Sequence, residues 1–408
     1  MPRMDPAMRF PYAHASHADW SQALSACLAE LDAQSKLPGC AREPNLGFAY
    51  LTEALRPHAE AIVARLKAHT GIEHWIGASG VGICATGTEY PEGPALAVML
   101  GRFEPGSFSV FSGVQRPPAL GVRTASGASA AYTALVHADP YTPELSELIV
   151  DMAGKVETNY LFGGLACGEG SCTLIADQAL EGGLSGVVFA GDVGLVSRVS
   201  QGCYPFAAER LVTRSQDNVI FELDGEQAFD VLLRDANIPE RVRHGGPDEL
   251  RAALDPIARR GLFVGITPSE SGAYRERTPV SDYVVRHVVA VDPGEGSVAI
   301  AAPIGDGARV AFCSRDAAAA RKDLVRICTQ IREHLDDRGE AGGAPLEAKG
   351  AVYVSCNGRG RHLFGKPGEE LKIIRQRLGD VPLVGFYANG EIGGQNLYGF
   401  TGVLTVFY

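Results

Sequence analysis

The chain has 408 residues, 46% of them hydrophobic and 21% charged, so it is long enough for two globular domains of ordinary composition. A formal net charge of −11 argues against nucleic acid as a partner, and no apolar run approaches the ~20 residues that insertion into a membrane requires. Nine scattered cysteines and an N-terminus without a long apolar stretch predict a cytoplasmic protein with reduced thiols.

An amphipathic helix is predicted first, over residues 19–31. A predicted strand (46–51), a helix (57–69) and two short buried strands (74–80 and 95–100) then follow one another. A second stretch repeats this order, with a strand at 135–137, a helix at 143–152 and strands at 160–165 and 185–190. It continues with predicted strands at 194–199 and 218–223 and a helix at 226–234.

Residues 236–247 are polar and interrupted by proline and glycine, so we place a domain boundary there and predict domains at 18–236 and 248–408. The second domain is predicted to contain, in chain order, a helix (248–260), a strand (262–266), a hairpin (283–291 with 297–301), a strand (309–313), a long helix (316–335), a flexible stretch (338–344) and then a third copy of the strand–helix–strand order.

One short pattern marks all three copies: two apolar residues, a glycine, four residues and a second glycine. It occurs at residues 75–82, 161–168 and 383–390. The surrounding units each span about 50 residues, and repetition at that period indicates one supersecondary unit used several times. Because many predicted strands are consecutive, a purely doubly wound sheet is not expected. We predict an α/β or α+β fold of mixed β-sheets with helices packed outside, built from repeated β-α-β-β units.

The glycine pattern does not match a phosphate-binding loop. A P-loop continues with Lys and then Ser or Thr, whereas Ile83, Glu169 and Glu391 follow the second glycine here. A carboxylate at that position repels phosphate, and no G-x-G-x-x-G opens a helix. Two interpretations stay open: the glycines let turns close and sheets pack, or the turns also line a pocket.

The densest chemical cluster is residues 355–362, which contain Cys356, Asn357, Arg359, Arg361 and His362 after an apolar strand. The carboxyl end of such a strand is where ligands usually bind in sheets with crossover helices. The basic residues would lower the pKa of the Cys356 thiol, or the arginines would clamp a carboxylate or phosphate. The alternative is a polar surface loop with a half-buried cysteine.

Metal and haem signals are weak in this sequence. Cys167 and Cys172 do not form a C-x-x-C pair, and neither H-E-x-x-H nor C-x-x-C-H occurs. Haem needs only one good axial ligand, so it stays a possible cofactor. The conceivable axial histidines are His58, His69, His74, His137, His287 and His362.

Several of these segments together resemble the FIST-domain family. The N-terminal half of that family resembles residues 75–82, 162–166, 187–194, 199–205 and 218–225. The C-terminal half resembles residues 284–293, 314–317, 355–361 and 385–402, so the resemblance covers roughly residues 19–408. The predicted domains would then be a FIST N-like and a FIST C-like domain.

This resemblance implies a small-ligand sensory module for intracellular signal transduction, as found in bacteria and in some eukaryotic F-box proteins. The ligands proposed for the family include amino acids. One bacterial branch binds haem, senses nitric oxide and acts on histidine kinases, but no axial histidine can be matched here. The sequence carries no recognisable kinase or cyclase segment, so signalling would need a separate partner.

We therefore expect a non-enzymatic sensor that binds a small polar or anionic ligand, with a haem-binding nitric-oxide sensor and an enzyme using Cys356 as nucleophile as alternatives. Arginine would anchor a ligand carboxylate through bidentate hydrogen bonds. The predicted ligand-binding residues are Cys356, Asn357, Arg359, Glu391, Gly164 of the second glycine copy, Gln201, and the candidate anion anchors Arg286 and Arg315.

Overall fold

A computed structural model describes residues 8–113, 121–124, 127–168, 170–243, 245–267, 283–342 and 346–408. The chain forms two compact units. Unit 1 comprises Met1–Ser200 and Arg321–Tyr408, and unit 2 comprises Gln201–Ala320. This division differs from the boundary placed at residues 236–247. The two sequence domains, residues 18–236 and 248–408, stay a prediction.

The helices up to residue 200 are α1 (Trp20–Gln34), a 3₁₀ turn (Glu53–His58), α2 (Ala59–Thr70) and α3 (Leu145–Ala153). The strands are β1 (Tyr12–Ser16), β2 (Leu46–Thr52), β3 (His74–Gly80), β4 (Ile83–Ala85), β5 (Thr88–Tyr90), β6 (Ala95–Gly101), β7 (Phe108–Gly113), β8 (Gly121–Thr124), β9 (Gly127–Ala130), β10 (Thr133–Ala138), β11 (Leu161–Leu165), β12 (Leu174–Ala176), β13 (Ala179–Leu180), β14 (Leu184–Phe189) and β15 (Leu195–Ser200).

The rest of the chain adds β16 (Cys203–Pro205), β17 (Arg210–Gln216), β18 (Val219–Leu223), β19 (Glu226–Gln227), β20 (Leu262–Ile266), β21 (Val284–Asp292), β22 (Ser297–Ile300), β23 (Arg309–Arg315), β24 (Gly350–Cys356), β25 (Leu383–Ala388), β26 (Glu391–Gly394), β27 (Asn396–Tyr398) and β28 (Gly402–Phe407). Its helices are α4 (Ala228–Asp235), α5 (Glu240–Arg243), α6 (Pro247–Arg260), α7 (Ala317–Gly342), α8 (Gly360–Phe364) and α9 (Glu369–Leu378).

These elements confirm the predicted mixed α/β class. One prediction is wrong: residues 338–342 are not flexible but continue α7 to Gly342. The remainder of that stretch, residues 343–344, lies outside the described part of the chain, as does Glu169. None of the described helices is long and apolar enough to cross a membrane.

Unit 1 contains three six-stranded sheets with the same strand order. Sheet 1 is β1-β6-β2-β3-β12-β13, sheet 2 is β7-β14-β10-β11-β26-β27 and sheet 3 is β15-β28-β24-β25-β4-β5. In each sheet the third and fourth strands are parallel, and the second strand is antiparallel to the third. These three strands are the predicted repeat, in which a helical segment connects the parallel pair.

Each repeat also contributes a hairpin to the sheet of another repeat. Hairpin β4–β5 of the first repeat pairs with β25, β26–β27 of the third pairs with β11, and β12–β13 of the second pairs with β3. The three repeats are therefore interlocked in a ring. The inner faces share one apolar core, which includes Phe48, Phe162 and Phe386, whereas the helices cover the outer faces.

The first glycine of each sequence pattern lies within a strand, not in a turn as predicted. Gly77 is paired with Ala49, and Gly163 and Gly385 hold the same position in the other repeats. A Cβ atom there would come within 1.7–1.9 Å of the carbonyl oxygen on the neighbouring parallel strand. Glycine is therefore required at these three positions, because the two parallel strands approach too closely to leave room for a side chain. The second glycines, Gly82 and Gly390, lie where β3 and β25 turn back.

Unit 2 is an antiparallel barrel. Strands β23, β17, β18, β22, β21 and β20 pair in that order, and β20 pairs back to β23, so the sheet closes. Helices α4 and α6 contribute Phe229, Leu232 and Leu254 to its apolar cluster. The closed pairing leaves these six strands without an unpaired edge along their shared length.

Candidate ligand-binding site

The carboxyl end of β24 opens onto a pocket in unit 1. Cys356 is the last residue of the strand, as predicted, and Asn357 follows it. The pocket has a volume of about 220 Å³. The third repeat and its helices line it with Asn357, Arg359, Gly360, Arg361, His362, Pro367 and Tyr387, and the first repeat with Val81, Glu89, Pro91 and Glu92.

The wall from the first repeat is acidic. The Tyr387 hydroxyl and the Gly368 N–H lie within hydrogen-bonding reach of the Glu89 carboxyl. Its Oε1 has no hydrogen-bond partner among the described residues. Burial, with a smaller contribution from Glu370, raises the pKa of Glu89. This carboxyl is therefore partly desolvated and retains one unused oxygen.

The opposite wall is basic. Arg361 pairs with Glu92 at a nitrogen–oxygen distance of 2.5 Å, and His362 is its neighbour in α8. The side chains of Arg361 and Glu92 are 45% and 71% exposed, so this ion pair is readily exchanged for a ligand group. The lining of this small pocket thus includes both a carboxyl group, Glu89, and an accessible guanidinium, Arg361.

Arg359, the predicted carboxylate anchor, is committed to protein groups. Its side chain is fully buried, and its Nε donates to Glu370 Oε1 at 2.8 Å. Its Nη1 donates to the carbonyl oxygens of Ser200 and Phe400, and its Nη2 donates to the Ser200 hydroxyl. Burial is the largest single effect and lowers the pKa of Arg359, but the charge and hydrogen bond of Glu370, together with Tyr353 and Glu391, raise the pKa overall. Arg359 therefore fixes the loop, and Arg361 is the accessible guanidinium.

Glu370 holds the same loop through several donors. It accepts hydrogen bonds from the Tyr353 hydroxyl (2.7 Å) and the Ser355 hydroxyl (3.0 Å). The Gly360 N–H donates to its second oxygen at 3.0 Å. These bonds tie β24 and the start of α8 to α9, so the pocket wall is preorganised.

The expected activation of Cys356 is wrong. Burial raises the pKa of its thiol, the nearby Glu391 raises it further, and the opposing effect of Arg359 is smaller. The thiol is therefore protonated at neutral pH, whereas a nucleophilic cysteine needs a lowered pKa.

Glu391 lies within hydrogen-bonding reach of the Cys356 thiol, and Gly164 lies beside Glu391. The two residues are register partners on β26 and β11. Glu391 is fully buried, and its Oε2 accepts from the N–H (3.1 Å) and hydroxyl (2.8 Å) of Thr401. Burial raises the pKa of Glu391 to about 8, against the smaller effects of Thr401 and Arg359. Neither Glu391 nor Gly164 lines the pocket.

The other three predicted residues belong to unit 2. Gln201 is buried, and its Nε2 donates to the Tyr283 carbonyl at 3.5 Å. Arg286 lies on β21 and Arg315 ends β23. Burial lowers the pKa of Arg286. The pocket described above is lined by residues of unit 1.

Sequence reasoning missed Glu89, Glu92 and Tyr387. The two acidic residues reach the pocket because hairpin β4–β5 joins the sheet of the third repeat, and the ion pair of Glu92 spans 269 residues. No local pattern encodes such a pairing. Tyr387 lies between the two glycines of the third copy, and that position in the repeated pattern was the available signal.

The equivalent position in sheet 1 is bridged by protein groups. Arg56, just beyond β2, donates to the Ser171 hydroxyl and pairs with Glu181 at 3.8 Å. In sheet 2, Asp139 follows β10 and accepts from the N–H groups of Tyr141 and Gly182. In sheet 3 the pocket described above lies at the equivalent position, just beyond the end of β24.

The pocket does not fit haem. Its 220 Å³ is below the ~300–1,000 Å³ of pockets for drug-sized ligands, and haem is at least that large. His137 is buried between the rings of Tyr50 and Phe386, at centroid distances of 5.5 and 5.8 Å. Among the described residues, no group of three or more His, Cys, Asp or Glu side chains forms a metal site.

The fold is one of interlocked mixed sheets with a small pocket at the carboxyl end of β24. The FIST N domain matches residues 45–226 and the FIST C domain matches residues 228–394, so the chain belongs to the FIST family. Domains of this family are small-ligand sensory domains in signalling.

Two mycobacterial relatives support this assignment. An uncharacterized protein of Mycobacterium tuberculosis is 32% identical over 363 residues, which cover 85% of this chain and 86% of the relative. An uncharacterized protein of Mycobacterium bovis is 34% identical over 303 residues, covering 70% and 72%. The similarity thus extends over most of both chains.

Proposed function

We propose that the pocket between Glu89 and Arg361 binds a small zwitterionic metabolite of the amino-acid class. The single observation that carries this proposal is that one pocket of about 220 Å³ has both a partly buried carboxyl and an accessible guanidinium in its lining. An ammonium group would pair with Glu89, whose Oε1 has no partner among the described residues. A carboxylate would replace Glu92 on Arg361, since a guanidinium binds carboxylates bidentately.

The pocket size supports a ligand of few non-hydrogen atoms, because pockets for drug-sized molecules begin near ~300 Å³. The Asn357 side chain supplies both a donor and an acceptor, and His362 adds the two ring nitrogens of its imidazole. These groups would orient a small polar molecule without covalent chemistry. A sensory role therefore accounts for the site without an activated nucleophile.

We further propose that the protein acts in the cytoplasm through a separate signalling partner such as a histidine kinase. The support for the location is that all nine cysteines are free thiols. The support for a partner is the family's role in signalling. A kinase assay with and without the chain would test it; unchanged autophosphorylation of every candidate kinase from the host would contradict this part alone.

Thermal shift measurements with the twenty amino acids, each at millimolar concentration, test the ligand class. We expect stabilisation by one chemical subset, because a ligand that binds the folded state at 100 times its Kd adds about 2.7 kcal/mol. Arg361→Ala and Glu89→Gln should abolish the shift. The matched control is Arg375→Ala, which removes an exposed arginine paired with Asp380 outside the pocket.

Two outcomes contradict the proposal. Stabilisation by none of the twenty amino acids would exclude this ligand class. A shift that survives in both pocket variants would place the binding site elsewhere.

A further inference from the structure

A row of buried residues crosses sheet 2 on the face that meets the other two sheets. Ser185, His137, Gly164 and Glu391 are successive register partners on β14, β10, β11 and β26. The side chains of Ser185, His137 and Glu391 are all completely buried. Three polar side chains therefore lie side by side in the interior of unit 1.

The equivalent rows of the other sheets are almost entirely apolar. The row in sheet 1 is Ala97, Tyr50, Ala78 and Leu174, and the row in sheet 3 is Val403, Val354, Phe386 and Ile83. Tyr50 is the one polar exception, and its hydroxyl lies 3.1 Å from His137 Nε2.

Each polar side chain of the sheet 2 row has an atom without a hydrogen-bond partner. These atoms are Ser185 Oγ, His137 Nδ1 and Glu391 Oε1, and none has a partner among the described residues. Buried polar atoms in folded proteins are almost always hydrogen-bonded to protein or to ordered water. Three such atoms in one row therefore point to a bound molecule.

Ser185 and His137 can share one molecule. They face each other on antiparallel strands, where Cβ atoms are about 4.5–5.5 Å apart. The Tyr50 hydroxyl bonds the other ring nitrogen of His137, Nε2, and a hydroxyl can either donate or accept. His137 Nδ1 is therefore an acceptor in one tautomer of the ring and a donor in the other. A water molecule supplies both functions, so it satisfies either tautomer.

The occupant is uncharged and small. Burial lowers the pKa of His137 to about 3 and raises that of Glu391 to about 8, so both groups are neutral near pH 7. The space over Gly164 is filled, since a Cβ atom there would meet Val354 Cγ1 at 2.7 Å. A larger ligand between His137 and Glu391 is therefore excluded.

We propose that this row is an internal hydration site, with one ordered water shared by His137 Nδ1 and Ser185 Oγ and a second on Glu391 Oε1. Buried waters of this kind usually make about three hydrogen bonds and are part of the structure. The site is independent of the ligand pocket, and the amino-acid proposal can fail without affecting it.

Ser185→Ala tests the shared water by the sign of the stability change. If Ser185 holds a water, its removal should lower the folding equilibrium constant about five- to tenfold in urea unfolding, because one bonded partner is lost. If Ser185 Oγ has no hydrogen-bond partner at all, its removal should raise the folding equilibrium constant, because the folded state then no longer buries an unbonded hydroxyl group. A rise would overturn the proposal.

Ser79→Ala is the matched control. Ser79 is equally buried, and its Oγ donates to the Cys167 carbonyl and accepts from the Thr173 N–H, both at 3.0 Å. Its substitution should lower stability in either case.

A crystal structure of the full chain supplies the direct readout. We expect water density within about 3.2 Å of both His137 Nδ1 and Ser185 Oγ, and a second peak beside Glu391 Oε1. The first peak should be lost in Ser185→Ala. A direct bond between His137 and Ser185, or no density at either place in wild type, would contradict the hydration site.

Discussion

Leu55 and Arg359 occupy equivalent positions, three residues beyond the last residues of β2 and β24. Leu55 is buried in an apolar cluster, whereas Arg359 is buried in an ion pair with Glu370. The segment that follows the first parallel strand is therefore stabilised by apolar packing in the first repeat and by a charged network in the third.

The comparison extends to the surface. In the first repeat Arg56 is held by both Ser171 and Glu181, whereas in the third Arg361 pairs with the exposed Glu92 in the lining of a pocket. The repeated β-α-β-β unit supplies the scaffold, and the departures of one copy from the others supply the chemistry. Each prediction below tests one such similarity or difference.

The largest effect is expected where the repeats are identical. Gly77→Ala, Gly163→Ala and Gly385→Ala should each destabilise unit 1 by at least about 3 kcal/mol or prevent folding, because the added Cβ meets a backbone oxygen that a packed sheet cannot move freely. Urea unfolding measures the loss. Gly305→Ala is the control, since its Cβ has open space, and it should change stability by less than about 0.5 kcal/mol.

Similar stability of these three variants and wild type would show that the parallel strands do not approach as closely as described. A large loss in one repeat alone would mean that the three copies are not equivalent at this position.

The next largest loss of stability is expected where the first and third repeats differ. Glu370→Gln should cost about 3–5 kcal/mol, because it leaves the buried Arg359 charge without its counterion. Replacing both partners, with Arg359→Leu and Glu370→Gln together, should cost less than Glu370→Gln alone. Leu55→Ala should cost about 2–5 kcal/mol through a cavity, and no second substitution would rescue it.

Chemical denaturation at pH 7 measures these three variants and, as the fourth, Arg359→Leu alone. Additive costs in the double variant would contradict the ion pair, because independent sites add and coupled sites do not.

A smaller change per pH unit is expected from Glu391, whose counterpart in sheet 1 is Leu174. Its pKa rises from 4.5 to about 8 on folding, so the neutral form is favoured in the fold. Its contribution to stability is complete below pH 4.5 and is lost as pH rises through 8. Between these values wild type should lose about 1.4 kcal/mol per pH unit relative to Glu391→Gln.

Urea unfolding at several pH values between 5 and 8 checks this slope. Parallel stability profiles of wild type and Glu391→Gln would mean that the carboxyl ionises normally.

Much of the fold was predictable from the sequence. The apolar runs that begin near Leu46, Ala134 and Ala351 each open a unit of about 50 residues with its helix, and each run became a central strand of a sheet. The exchange of hairpins was not predictable, because β4 pairs with β25 some 300 residues away and a short apolar strand carries no mark of its partner.

The site was predictable only in part. Cys356 was placed correctly at a strand end, and Asn357 lines the pocket. The role of Arg359 depends on Glu370, whose position on α9 brings its carboxylate under the loop. The glycines were interpreted as turns because a sequence pattern does not separate a tight turn from a close approach of strands.

Native mass spectrometry of the protein purified from its own host tests the central claim most directly. The pocket between Glu89 and Arg361 predicts a retained small molecule of the amino-acid class, which is lost in Arg361→Ala and kept in Arg375→Ala. A bound molecule of another class, or one that persists in Arg361→Ala, would contradict the assignment of this pocket as the sensory site.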